Sequence, residues 1–102
     1  MTENEIVEYF QLEEVAEQVG LSAARIRAYE RAGLIAPSLR RGRKRYYRKS
    51  EMARLRRLRR LATDLGLNAA GVEVVARLLD EMDALRAEVH ALRGEWETSS
   101  SG

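Results

Sequence analysis

The chain has 102 residues, no cysteine, a single histidine (His90) and a formal net charge of +2. That excludes disulfides, thiolate metal sites and a metal centre built on histidines. Its length suits one modest core, and its dominant residues, Ala, Leu, Arg and Glu, are helix formers that predict a mainly α fold.

Leu12, Val15, Ala16 and Val19 recur at helical spacing and predict a short amphipathic helix. Gly20 ends it. Leu21 turns inward, and Ser22 is a suitable N-cap for a second helix over residues 23–31. Ile26 and Tyr29 face inward there, so Tyr29 reads as core, and Gly33 stops the helix. Helix, Gly-Leu-Ser turn, helix is the pattern of a helix-turn-helix, whose second helix reads the partner.

Leu34-Ile35-Ala36-Pro37 is expected to be extended, because the residue before proline avoids the α region. Arg40-Arg41-Gly42-Arg43-Lys44-Arg45-Tyr46-Tyr47-Arg48-Lys49 then places seven cations in ten residues. Its paired tyrosines have strand propensity. Strand, glycine turn and strand predict a β-hairpin wing. Ser50 is the expected cap of a long helix with the stripe Met52, Leu55, Leu58, Leu61 and Ala62. Arg54, Arg56, Arg57, Arg59 and Arg60 cover its other faces, and Gly66 breaks it. Asn68 caps a last helix starting near Ala69.

From Val75 the apolar positions are Leu78, Met82, Leu85, Val89, Leu92 and Trp96, at alternating spacings of three and four. This is a heptad seam. It continues past the residues a small domain needs to close its core, so it predicts a homodimer. Glu81 and Glu88 would meet Arg86 and Arg93 of a second copy in a parallel pair, which leans the pattern that way without deciding it. Gly94 costs ~1 kcal/mol in the last turns. The expected division is a winged-helix domain over 1–80, a dimerisation helix over 81–97 and a frayed tail over 98–102.

The charge is segregated along these elements. Residues 25–60 hold 15 of the 18 Lys and Arg and only two acids, Glu30 and Glu51, for a net of +13. Residues 1–24 carry −6 and residues 61–102 carry −5. Basic stretches are often only solvated faces. Seven cations ending in an aromatic anchor argue for an ordered segment that meets a polyanion such as double-stranded DNA. No apolar run approaches the ~18 residues that span a membrane. The acidic N-terminus lacks the basic start of a signal peptide, so the expected location is the cytoplasm.

Together these pieces resemble the MerR family of winged-helix bacterial regulators, and the resemblance implies a place in the bacterial cytoplasm, at the nucleoid. The resemblance is carried by residues 12–22, by Ile26-Arg27-Ala28-Tyr29-Glu30-Arg31-Ala32-Gly33-Leu34-Ile35-Ala36-Pro37, and by Gly42-Arg43-Lys44-Arg45-Tyr46 with the Leu-rich helix after it. It implies that Arg27 holds a phosphate and that Ser22, Ala23 and Arg25 lie at the groove-facing start of the recognition helix. It implies that Lys44 and Tyr46, flanked by Arg40, Arg41, Arg43 and Arg45, contact the DNA backbone. Two positions depart from the family pattern. Ala28 stands where a second Tyr is usual, and Lys44 stands where Arg is usual, keeping charge but losing the fork.

Leu65-Gly66-Leu67-Asn68-Ala69-Ala70-Gly71-Val72 resembles HspR-like heat-shock repressors. The run from Leu78 to Arg86 resembles CbpM-like chaperone modulators, which bind the J-domain of a DnaJ-type co-chaperone. Two functions follow. The chain is a transcriptional regulator, of chaperone or heat-shock genes, or it is a modulator of the DnaJ/DnaK-type chaperone system. The second would use an acidic surface, for which Glu13, Glu14, Glu17, Asp80, Glu81 and Asp83 are candidates. The basic wing favours the first. No nucleophile–base pair, metal cluster or phosphate loop is present to suggest an enzyme, and no cofactor is expected.

Overall fold

The computed structural model describes residues 7–100, with side chains described for 7–97. The elements are β1 (Phe10–Gln11), α1 (Leu12–Val19), α2 (Ala23–Arg31), β2 (Leu39–Arg41), β3 (Lys44–Tyr47), α3 (Lys49–Asp64) and α4 (Ala69–Ser100). Four helices and a small antiparallel sheet make a winged helix-turn-helix, with α4 projecting from it.

The helix-turn-helix forms where its punctuation predicts. Gly20 takes φ 75° and returns its N–H to Ala16 O at 3.0 Å, the left-handed ending that residues with a Cβ adopt rarely. Ser22 Oγ accepts from Arg25 N at 3.0 Å and so starts α2. Leu12, Val15 and Val19 of α1 and Ile26 and Tyr29 of α2 are buried together with Leu34, Ile35, Tyr47, Met52, Leu55, Leu58, Val72 and Ala76.

The sheet has the order β1-β3-β2, all antiparallel. The hairpin turns on Gly42 and Arg43, with Gly42 alone at positive φ, 61°. A glycine in the first of two loop positions is what a type II′ turn requires. The hairpin's first strand begins at Leu39, beyond Pro37, and the stretch before the proline carries no ladder. Leu34 and Ile35 are instead buried in the core. β1 has no signal in the sequence. It is two residues long and exists through pairing with β3, with Phe10 opposite Tyr47.

The start of α3 also differs from expectation. Arg48, not Ser50, occupies the N-cap. The cap is made by Glu51, whose Oε1 accepts from Arg48 N at 2.7 Å. Ser50 Oγ donates to Glu51 Oε2 at 2.8 Å, and Ser38 Oγ also donates to this carboxylate. Asn68 does cap α4, its Oδ1 accepting from Gly71 N at 2.9 Å.

α4 has 32 residues, about 48 Å at the usual helical rise. Val72 and Ala76 pack into the core with α3, while every described side chain from 81 to 97 is exposed. The radius of gyration, 17.6 Å, therefore exceeds the ~13 Å of a compact chain this long. The helix runs through Gly94 to Ser100, and residues 101–102 of the expected tail lie outside the described residues.

Glu51 supplies a test of this architecture. Partial burial opposes its charge, but the bonds from Ser38, Arg48 N and Ser50 prevail and hold its carboxyl below the usual range. The ionised form therefore stabilises the fold above the unfolded value, about pH 4.3, and that contribution is lost as pH falls through the folded value. Urea midpoints measured between neutral and acid pH should drop less steeply for Glu51→Gln than for wild type. Equal slopes would mean that the carboxylate does not hold the start of α3.

Candidate nucleic-acid interface

The recognition helix begins with small residues. Ala23 is half-buried and Ala24 exposed, so little side chain stands between the start of α2 and an approaching partner. Arg25 and Arg27 follow, both exposed. The Arg25 guanidinium lies over the Tyr29 ring, 5.9 Å from its centroid, which directs that side chain along the helix. Tyr29 itself is 2% exposed and belongs to the core.

Arg27 and the wing share one cleft. It has a volume of about 190 Å³ and is lined by Arg27, Arg43, Lys44 and Arg45 with Gln11, Leu12 and Glu13. Four cations facing one acid make it electropositive. The wing's own register sets Arg40 opposite Arg45 and Arg41 opposite Lys44. Like charges directly across an antiparallel pair are destabilising. An anion beside Lys44 would offset the repulsion from Arg41 across the pair.

Arg45 is not equivalent to its neighbours. Its Nε lies 3.6 Å from Glu30 Oε1, with side-chain exposures of 32% and 7%. Tyr47 donates its hydroxyl to Glu30 Oε2 at 2.6 Å. Burial, reinforced by this carboxylate, pushes the Tyr47 phenol well above its ordinary value, so it remains a donor. Glu30 belongs to the recognition helix, and Arg45 and Tyr47 belong to the wing. The pair of contacts fastens one to the other. Glu30 Oε1 has no hydrogen bond of its own, so Arg45 is its charge partner.

The remaining expected contacts divide by position. Arg41, Arg43 and Lys44 are exposed at the tip, and Tyr46 is half-buried opposite Leu39. Ser22 is spent on the helix cap. Arg40 lines a different cleft, with Glu30, Glu51, Arg54 and residues 33–36. It is not grouped with Arg27.

One group was missed in the sequence. Arg56, Arg59 and Arg60 are exposed on α3. Arg59 reaches the helix-turn-helix turn, since a Cβ added at Gly20 would lie 3.3 Å from its guanidinium. The signal was their spacing, three and four apart on the face away from Met52, Leu55 and Leu58. In contrast, Arg54 and Arg57 of the same helix are turned to Asp80 and Asp83 of α4, at 2.8 and 3.7 Å.

A winged helix with exposed cations on the recognition helix, the hairpin and α3 defines the class, a helix-turn-helix module whose charge suits a polyanion. A family model described as MerR HTH family regulatory protein matches residues 10–94. The chain belongs to that family. Over 77 residues it is 32% identical to the heat shock protein HspR of Streptomyces coelicolor, a match covering 76% of this chain and 51% of the relative. The chain thus spans about half the length of the curated relative it matches. Among the described residues, no helix is long and apolar enough to cross a membrane.

The Glu30 tie is directly testable. Tyr47→Phe removes the hydroxyl and leaves a buried carboxylate short of a donor, which should cost about 1.5–3 kcal/mol. Equilibrium urea unfolding would measure it. A loss within experimental error would show that the Tyr47 hydroxyl does not hold the wing.

Proposed function

We propose that this chain is a DNA-binding transcriptional regulator that acts as a homodimer, with chaperone or heat-shock genes as its targets. One observation carries the reading: Arg27 of the recognition helix and Arg43 and Lys44 of the wing line one electropositive cleft. A phosphate held between them would fix the register of the helix on the duplex, leaving Arg25 and the small residues before it to meet base edges. The heat-shock targets are suggested by the name of the Streptomyces relative.

The chaperone-modulator reading loses ground on the same geometry. It called on an acidic surface including Asp80 and Asp83. Those two carboxylates are already engaged by Arg54 and Arg57.

A salt titration of duplex binding tests the assignment of the cations. Each phosphate neutralised adds about 0.9 to the slope of log K against log salt. Arg43→Gln and Lys44→Gln should each weaken binding to all sequences and lower the slope by about one. Arg45→Gln should leave the slope unchanged, because Glu30 already holds that charge. Slopes untouched by the Arg43 and Lys44 substitutions would remove the wing from the mechanism.

The dimer rests on α4. Among the described residues, Leu78, Met82, Leu85, Val89, Leu92 and Trp96 are 44–70% exposed along one seam of the helix. Burying one Leu contributes about 1.5–3 kcal/mol, and in a symmetric pair each substitution counts twice. Leu85→Asp should therefore yield a monomer with native helicity and much weaker DNA binding. Sedimentation equilibrium distinguishes the outcomes. A wild type that remains monomeric at high micromolar concentration would refute the dimer.

A further inference from the structure

The C-terminal end of the recognition helix is tied to α4 by charged side chains. Arg77 of α4 donates to Ala32 O, the C-cap of α2, and pairs with Glu73 at 3.1 Å. Arg54 of α3 donates Nε to Leu34 O at 2.5 Å, just past the helix end. Its two terminal nitrogens reach Asp80 Oδ1 and Oδ2 at 3.1 and 2.8 Å. The C-cap carbonyl of α2, the carbonyl two residues further on and a carboxylate of α4 are thus joined through two guanidiniums. A fork seated on a carboxylate sets an angle as well as a distance. The Arg54 bond, against slight burial, holds the Asp80 carboxyl below its ordinary value, so the pair stays charged at neutral pH. Arg57 of α3 adds a second ion pair to Asp83 of α4 at 3.7 Å, and the direction in which the helix leaves the domain is set along this seam.

We propose that Arg54, Asp80 and Arg77 form a positioning bracket that fixes the angle between α4 and the recognition helix, and thereby the half-site spacing that a dimer of this chain accepts on DNA. The inference rests on the dimeric DNA-binding reading. Two domains joined only through their α4 helices place their recognition helices by that angle. One base pair of added spacing displaces a half-site by about 3.4 Å and turns it by roughly 34°. A rigid bracket rejects that change, and a loose one tolerates it. The residues act through α2 and do not touch DNA in this scheme. Arg54 and Asp80 are 30% and 47% exposed, so breaking the pair should loosen the joint without unfolding the domain.

The test is a set of duplexes carrying two selected half-sites with the spacer varied one base pair at a time. Wild type should bind one spacing about tenfold more tightly than its neighbours, within the range of a single mismatch. Asp80→Asn and Arg54→Lys should flatten that profile to within about threefold while keeping the base preference of each half-site. A second readout needs no DNA. The chain has no cysteine, so Gln18→Cys carries a unique spin label on the exposed face of α1. Label-to-label distances in the dimer should form a narrow distribution in wild type and a broad one with Asp80→Asn. Profiles and distributions as sharp in the variant as in wild type would overturn the bracket and leave the DNA-binding reading intact. A wild type without any spacing preference would overturn the two-half-site reading, and the bracket with it.

Discussion

A carboxylate buried at the end of the recognition helix decides where the wing sits. Glu30 is taken out of water at some cost, since a buried charge is tolerated only when paired and hydrogen-bonded. Tyr47 and Arg45 supply those partners from the middle strand of the sheet. The tie has two effects. It orients the hairpin against α2, so that Arg27 and the hairpin tip line a common cleft. It also withdraws one cation from a crowded strand and leaves the rest facing outward.

The same economy governs α3. One of its faces belongs to the core through Met52, Leu55 and Leu58. A second carries Arg54 and Arg57 to α4, and a third leaves Arg56, Arg59 and Arg60 to solvent. A basic helix is here divided by its neighbours into cations that hold the fold together and cations that remain available. Charge count alone cannot tell them apart.

That division marks the limit of what the sequence discloses. Gly20, Ser22, Gly33, Gly42 and Asn68 act locally, through their own backbone angles or caps, and could be read from position. The helix boundaries of α2 follow from them. β1 could not be read, because a two-residue strand has no periodicity and depends on β3. For the α3 cap the residue types favour Ser50, whereas in the fold Glu51 reaches the orphan N–H of Arg48. The inward pairing of Arg45 and Arg54 depends on partners 15 and 26 residues away. Still, one signal was present. Glu30 and Glu51 are the only acids within the basic block, and both are used by the fold to anchor it.

The facing pair Arg41–Lys44 leaves the hairpin with a liability that depends on its medium. Dissolved ions screen repulsion between exposed charges over about 10 Å at 0.1 M. In the free protein, added electrolyte therefore quiets the hairpin and favours its folded form. The same ions compete with any polyanion for those side chains. Ionic strength acts with opposite sign on the two properties of one strand pair, steadying the empty wing under the conditions that make it hardest to fill.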